Sequence, residues 1–227
     1  MCGICGELRL DDNQPDLGLV ARMLDKIARR GPDHSGSYSD GPLALGHRRL
    51  SVIDLSERAN QPMIDPDLGL AMVFNGAIYN YPELRRELQA KGYQFFSSGD
   101  SEVIIKAFHA WGEGCVERLH GMFAFAIWNL RSKELFLARD RMGIKPLYFS
   151  QNGSSFRFAS NTQALLCARD LDVSIDPVAL HHQLTLHAVI PAPRTILNGI
   201  RKLEPGTSMR INLRGEVSTH RYWQLSA

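Results

Sequence analysis

The sequence predicts an α+β domain in which antiparallel sheets are covered by helices. From Met122 onward, strand-like runs follow one another with only polar or Gly-containing turns between them, which is the pattern of a meander. Residues 81–91 and 101–111 read as helices. Strands in meanders mixed with a few helices fit covered antiparallel sheets better than a doubly wound parallel sheet.

Residues 4–10 open the chain as a strand. Residues 17–27 place Leu17, Val20, Leu24 and Ile27 on one helical face. The stretch from Arg30 to Gly36 combines Gly, Pro and Asp in the manner of a loop, and residues 43–49 return as a strand. Residues 72–74 read as a buried strand ending at Asn75-Gly76, a dipeptide that readily turns. The helix at 81–91 starts behind Asn80, has Pro82 in its first turn and stops before Gly92. The meander then runs through 123–128, 134–138, 147–150 and 156–159. Residues 161–166 and 177–186 read as helices, and two late strands lie near 209–213 and 217–222. No internal repeat and no low-complexity segment is present.

At 227 residues, with 44% hydrophobic and 22% charged residues, the chain can bury one sizeable core. A net charge of +2 supplies no long-range field for nucleic acid or an acidic membrane, so neither is an expected partner. The opening MCGICGELRL is not a secretory signal, and no run reaches transmembrane length. Four cysteines make no disulfide framework, and a cytoplasmic location is expected.

The position richest in chemistry is Cys2. Removal of Met1 before this small residue leaves an α-amine and a thiol on one residue, with reference pKa values of about 8 and about 8.5, close enough to exchange a proton near neutrality. A cysteine at the second position is weak evidence by itself. It is joined, in order, by Arg30-Gly-Pro-Asp33, His47-Arg-Arg-Leu-Ser51, Phe74-Asn-Gly-Ala-Ile-Tyr-Asn80, Ser98-Gly-Asp-Ser-Glu102, Gly121-Met-Phe-Ala-Phe125 and Ala138-Arg-Asp-Arg-Met-Gly-Ile-Lys-Pro-Leu-Tyr148. In this register the motifs resemble the glutaminase domain of class II glutamine amidotransferases of the asparagine synthetase family, from the first residue to about Phe158.

The resemblance implies the four-layer αββα sandwich of N-terminal nucleophile hydrolases. It also implies roles. Cys2 would attack the side-chain amide of glutamine, giving a glutamyl thioester and ammonia. Asn75 and Gly76 would form the oxyanion hole. Arg49 would hold the substrate α-carboxylate, for which a guanidinium fork is suited, and Asp100 the α-ammonium. Ala77 stands where asparagine synthetases usually carry Glu, removing a charged acceptor at the amino acid end and predicting a weakened KM with Cys2 still reactive.

The same resemblance divides the chain into a glutaminase domain at 1–212 and a linker at 213–227, leading toward an ATP-dependent synthetase domain. The Ser-Gly-Gly-x-Asp-Ser pyrophosphate loop of such a domain does not occur in this sequence. No cofactor is expected in the glutaminase domain, and ATP and Mg only in the synthetase. The partners expected are glutamine and that synthetase, with room for a homodimer. The segment from His181 to Ile196 looks most like the subgroup that amidates N-acetylglutaminylglutamine. The alternative is a docking or regulatory domain, weak as a glutaminase, for an ammonia-using synthetase.

Cys2 and Cys5 also form a C-x-x-C. Zinc would require a second matched pair, which Cys115 and Cys167 do not supply, and a redox motif usually follows a strand in a βαβ unit. Cys5 is therefore expected as a small buried residue on the first strand. His181, His182 and His187 lack a nearby acidic cluster and read as plain structure.

Overall fold

A computed structural model describes residues 1–226. The chain forms β1 (Gly3–Arg9), α1 (Leu17–Lys26), β2 (His34–Asp40), β3 (Leu43–Arg49), β4 (Met63–Asp65), β5 (Leu70–Ile78), α2 (Tyr81–Ala90), α3 (Asp100–Trp111) and α4 (Cys115–Arg118). It continues as β6 (Gly121–Asn129), β7 (Glu134–Arg139), β8 (Tyr148–Gln151), β9 (Ser155–Ala159), α5 (Thr162–Leu165), α6 (Pro177–Thr185), β10 (Arg201–Lys202), β11 (Thr207–Ile211) and β12 (Val217–Arg221).

The strands make two six-stranded sheets, ordered β10-β8-β9-β1-β3-β2 and β12-β11-β7-β6-β5-β4. Every pairing within them is antiparallel. Period-2 alternation assigns the faces. Ile4 and Leu8 of β1, Leu43 and Leu45 of β3, Ala71 and Val73 of β5, and Ala124 and Ala126 of β6 join one core between the sheets. Met72 and Phe74 of β5 turn the other way, onto Leu84 and Leu88 of α2 and Ile104 and Ile105 of α3. Cys5 and Ala44 pack outward against Leu19, Val20 and Met23 of α1. The layers are therefore helix, sheet, sheet, helix, the four-layer sandwich that the motifs imply.

Local signals explain a helix in each outer layer. Asp16 caps α1 by accepting from the Leu19 N–H at 2.8 Å. Pro82 lies in the first turn of α2, where a missing N–H costs nothing.

Three expectations change. Asn75-Gly76 is not a turn: β5 runs straight through it to Ile78, paired residue for residue with β6. Glycine is required there because a Cβ at Gly76 would lie 2.1 Å from the Met122 carbonyl oxygen. Residues 34–36, read as loop, begin β2, a polar strand pairing with β3 only, so no buried alternating face marks it in the sequence. The expected boundary at 212 falls inside a β-hairpin. Val217–Arg221 pairs with β11, and the Tyr222 hydroxyl donates to the Arg139 carbonyl oxygen at 2.6 Å, tying residues 217–222 onto the second sheet rather than leaving them as linker.

Candidate active site

The face between the sheets is apolar along its length and becomes polar at one end. Cys2 continues the face of Ile4, His47 and Arg49 continue that of Leu43 and Leu45, and Asn75 and Ala77 continue that of Ala71 and Val73. Three strands from two sheets thus converge on one cavity of about 150 Å³. Cys2, Arg49, Asn75, Gly76, Ala77 and Asp100 all line it, so every site residue expected from the sequence is brought to one place.

Cys2 is partly buried, and its Sγ lies 3.4 Å from the Leu50 N–H. Burial pushes the thiol pKa up, while the Leu50 N–H and the nearby charge of Arg49 oppose the shift by favouring the thiolate. The Arg30 Nε donates to the Cys2 carbonyl oxygen at 3.0 Å, fixing the backbone of Cys2. Met1, before it, is 56% exposed.

Asn75 is fully buried, yet among the described residues neither its Nδ2 nor its Oδ1 has a hydrogen-bond partner. Such a group costs about 1–3 kcal/mol, so its place on the cavity wall marks a position for a polar ligand. Gly76 adds a second donor by a different route. In an antiparallel ladder the N–H and C=O of one residue point to the same side, and successive residues alternate. Phe123, opposite Gly76, directs both groups to Asp140: its N–H to Oδ2 at 3.1 Å and its carbonyl to the Asp140 N–H at 2.8 Å. Gly76 therefore faces the outer edge of β5, as do Phe74 and Ile78. The β4 strand does not reach that far, since its pairing stops at Met63 opposite Met72. The Phe74 N–H is taken instead by Gln61 Oε1 at 2.6 Å and the Ile78 N–H by Asp100 Oδ2 at 2.9 Å. The Gly76 N–H between them opens toward the cavity.

The cavity wall also carries a cation, Arg49, and an anion, Asp100. Arg49 is buried, and its Nη1 donates to the Ser56 carbonyl at 2.9 Å and to Asn60 Oδ1 at 2.7 Å, while Nη2 donates to the Asp54 carbonyl. Of the five guanidinium N–H groups, three are used in holding the loop at 51–60. Asp100 is the first residue of α3, and burial raises its carboxyl pKa against the lowering effect of the Ile78, Asp100 and Ser101 N–H groups. Ala77 leaves an apolar wall beside it.

Sequence reading missed several residues of this cavity. Leu50 supplies the N–H facing Cys2. Lys145, only 2% exposed, lines the wall with its Nζ 2.8 Å from Met1 Sδ, and its pKa is lowered by burial and then by Arg30. The motif around it was visible, but its main work is structural. Asp140 accepts from the Met142, Ile144 and Lys145 N–H groups, and Arg139 donates to the Gly143, Lys145 and Leu203 carbonyls. Asp54, discussed below, carried no signal beyond its nearness to Arg49.

The C-x-x-C is set aside by parity: residues three apart on a strand point to opposite faces, and Cys5 is buried against α1. All four cysteines are free, and among the described residues no group of three or more His, Cys, Asp or Glu is placed to hold a metal ion. Among those residues no helix is long and apolar enough to cross a membrane.

The family model described as a glutamine amidotransferase domain matches residues 1–223. The chain belongs to that family. This amidotransferase domain is 34% identical over 230 residues to asparagine synthetase (glutamine-hydrolyzing) 3 of Bacillus subtilis, covering 100% of this chain and 37% of that protein. It is 38% identical over 227 residues to asparagine synthetase (glutamine-hydrolyzing) 1 of the same organism, covering 99% of this chain and 35% of the relative. The domain thus spans little more than a third of the length of these relatives. Among solved structures, glutamine phosphoribosylpyrophosphate amidotransferase from B. subtilis superposes with a TM-score of 0.70 at 20% identity, covering 99% of this chain and 50% of that one, a likeness of fold.

Proposed function

We propose that this amidotransferase domain hydrolyses glutamine to glutamate and ammonia through a thioester on Cys2, and that the ammonia serves an ATP-dependent amide-forming domain like that of the longer relatives. The observation that carries the proposal is the buried, unpartnered Asn75 amide on the same cavity as the Cys2 thiol.

The chemistry follows from the placement. With Met1 removed, the α-amine of Cys2 takes the thiol proton as Sγ attacks the amide carbon of glutamine. The oxygen that becomes negative is held by the Asn75 Nδ2–H and the Gly76 N–H, two preorganised donors of the kind that contribute most when charge develops away from water. As the tetrahedral species collapses, the C–N bond breaks and the amine returns the proton to the departing nitrogen, releasing ammonia. Water then attacks the thioester carbon, the thiol recovers its proton and glutamate leaves. Arg49 binds the α-carboxylate and Asp100 the α-ammonium, so the cavity recognises an amino acid by both ends.

ATP and Mg belong, in this reading, to the amide-forming partner and not to this domain. The acceptor proposed for the ammonia is an N-acetylated glutaminylglutamine dipeptide, on the resemblance of residues 181–196. The test is release of glutamate from glutamine by the purified chain. Wild-type protein should release it and Cys2→Ala should not; equal release by both removes Cys2 from the mechanism.

A further inference from the structure

The two ends of the proposed amino acid site stand on separate segments: Arg49 at the end of β3 and Asp100 at the start of α3. A single residue, Asp54, spans them, with its backbone carbonyl on Arg49 and its carboxylate on Ser56 and Ser98. Asp54 Oδ2 accepts from the Ser98 N–H at 2.8 Å and from the Ser98 Oγ at 2.9 Å, two residues before Asp100. Its Oδ1 accepts from the Ser56 N–H at 2.8 Å, and its backbone carbonyl accepts from Arg49 Nη2. Ser56 in turn offers its carbonyl to Arg49 Nη1 at 2.9 Å. Asp54 is buried, and its carboxyl is held far below the usual carboxylate range by the Ser56 and Ser98 donors, which overcome the cost of burial.

From this arrangement we infer that Asp54 is a positioning residue that couples the carboxylate-binding Arg49 to the ammonium-binding Asp100, fixing the span of amino acid the cavity accepts. The inference rests on the function proposed above. Two features make Asp54 the link rather than one contact among many. The segment before Asp100 has its own anchor on the other side, where buried Glu102 accepts from the Phe96 and Ser97 N–H groups and the Ser97 hydroxyl. Asp54 joins that anchored segment to the loop at 51–60 through a buried carboxylate, beside a longer bond from the exposed Arg58 Nη1 to the Phe96 carbonyl at 3.4 Å. Gly99 is also packed against it, since a Cβ there would stand 3.3 Å from the Asp54 Cβ. A hydrogen-bonded carboxylate in such a place is hard to replace, because the donors it satisfies are left without a partner.

A positioning role predicts a particular division of kinetic effect. Asp54→Asn keeps the shape but turns an amide NH2 toward donors. It should raise KM for glutamine roughly tenfold or more, the scale of losing a charge-assisted hydrogen bond, with kcat within about twofold, because Cys2, Asn75 and Gly76 lie on other segments. Ser98→Ala removes one of the two bonds from Ser98 and should raise KM by a smaller factor, which keeps the test available if Asp54→Asn does not fold. The rate of Cys2 alkylation by iodoacetamide, which lacks an amino acid head, should match wild type in both variants.

An unchanged KM in a folded variant, or a loss appearing in kcat or in alkylation instead, overturns the coupling. Wild-type protein that neither hydrolyses glutamine nor binds it in calorimetry overturns the proposed function itself. Wild-type protein that does both, with variants equal to it, overturns only the role of Asp54.

Discussion

His47 reaches from one sheet to the other: its Nε2 lies 3.1 Å from the carbonyl oxygen of Phe74, one residue before Asn75. A carbonyl can only accept, so Nε2 carries the hydrogen and the ring is held in one tautomer. Together with Gln61 on the Phe74 N–H, this bond replaces the strand partner that β5 lacks beyond β4, and so fixes the edge that presents Asn75 and Gly76.

Burial holds the His47 pKa down to about 3, against an ordinary value near 6.5, and the nearby charges of His34 and Arg49 act in the same direction. Between those two values the unfolded chain binds a proton that the folded chain does not, so stability is lost as pH falls through that window. Denaturant midpoints measured from pH 7 to pH 4 should fall more steeply for wild type than for His47→Gln. Parallel pH profiles would show that His47 is not the neutral buried group described.

Asn75→Ala removes one of the two donors proposed for the oxyanion. Its kcat for glutamine hydrolysis should fall by roughly 10²–10³-fold, about 3–4 kcal/mol, with KM changed little. A loss confined to KM would place Asn75 in ground-state binding instead.

Much of the framework was legible in the residues, for physical reasons. Strands β1, β6, β7 and β9 carry apolar runs bounded by turn signals, because both of their faces are covered, and helices α1 and α2 carry apolar spacing or end signals. The polar strand β2 was not legible: its stability comes from pairing with β3, and nothing local announces a partner. Asn75-Gly76 was misread because the dipeptide that favours a turn is also what an open strand edge needs where Met122 crowds the backbone. Motif order named Cys2, Arg49, Asn75, Gly76 and Asp100. The connection that Asp54 makes between two of them depends on contacts 44 residues apart along the chain and is invisible before folding.

Gly76→Ala tests the strand-edge reading. The added methyl would meet the Met122 carbonyl, and neither backbone can move without disturbing the ladder. The cost should approach about 3 kcal/mol, the upper end for overpacking, lowering Tm by roughly 6–12 °C for a chain of this size. An unaltered Tm in a thermal melt would show that β5 and β6 are less closely apposed.

Ala77→Glu places an acceptor at the end of the cavity proposed to bind the amino acid head. KM for glutamine should fall by roughly tenfold, the effect of a gained charged hydrogen bond, with kcat unchanged. The same substitution with no effect on KM would mean that the wall beside Asp100 does not face the substrate.

The intact mass of the purified chain, before and after exposure to the glutamine-like alkylator diazo-oxo-norleucine, reports processing at Met1 and reactivity at Cys2 together. The chain should lack Met1 and gain one adduct, mapped to Cys2 and suppressed by excess glutamine. A chain that keeps Met1 yet hydrolyses glutamine at full rate, or one that is processed but gains no adduct at Cys2, would contradict the proposed role of Cys2.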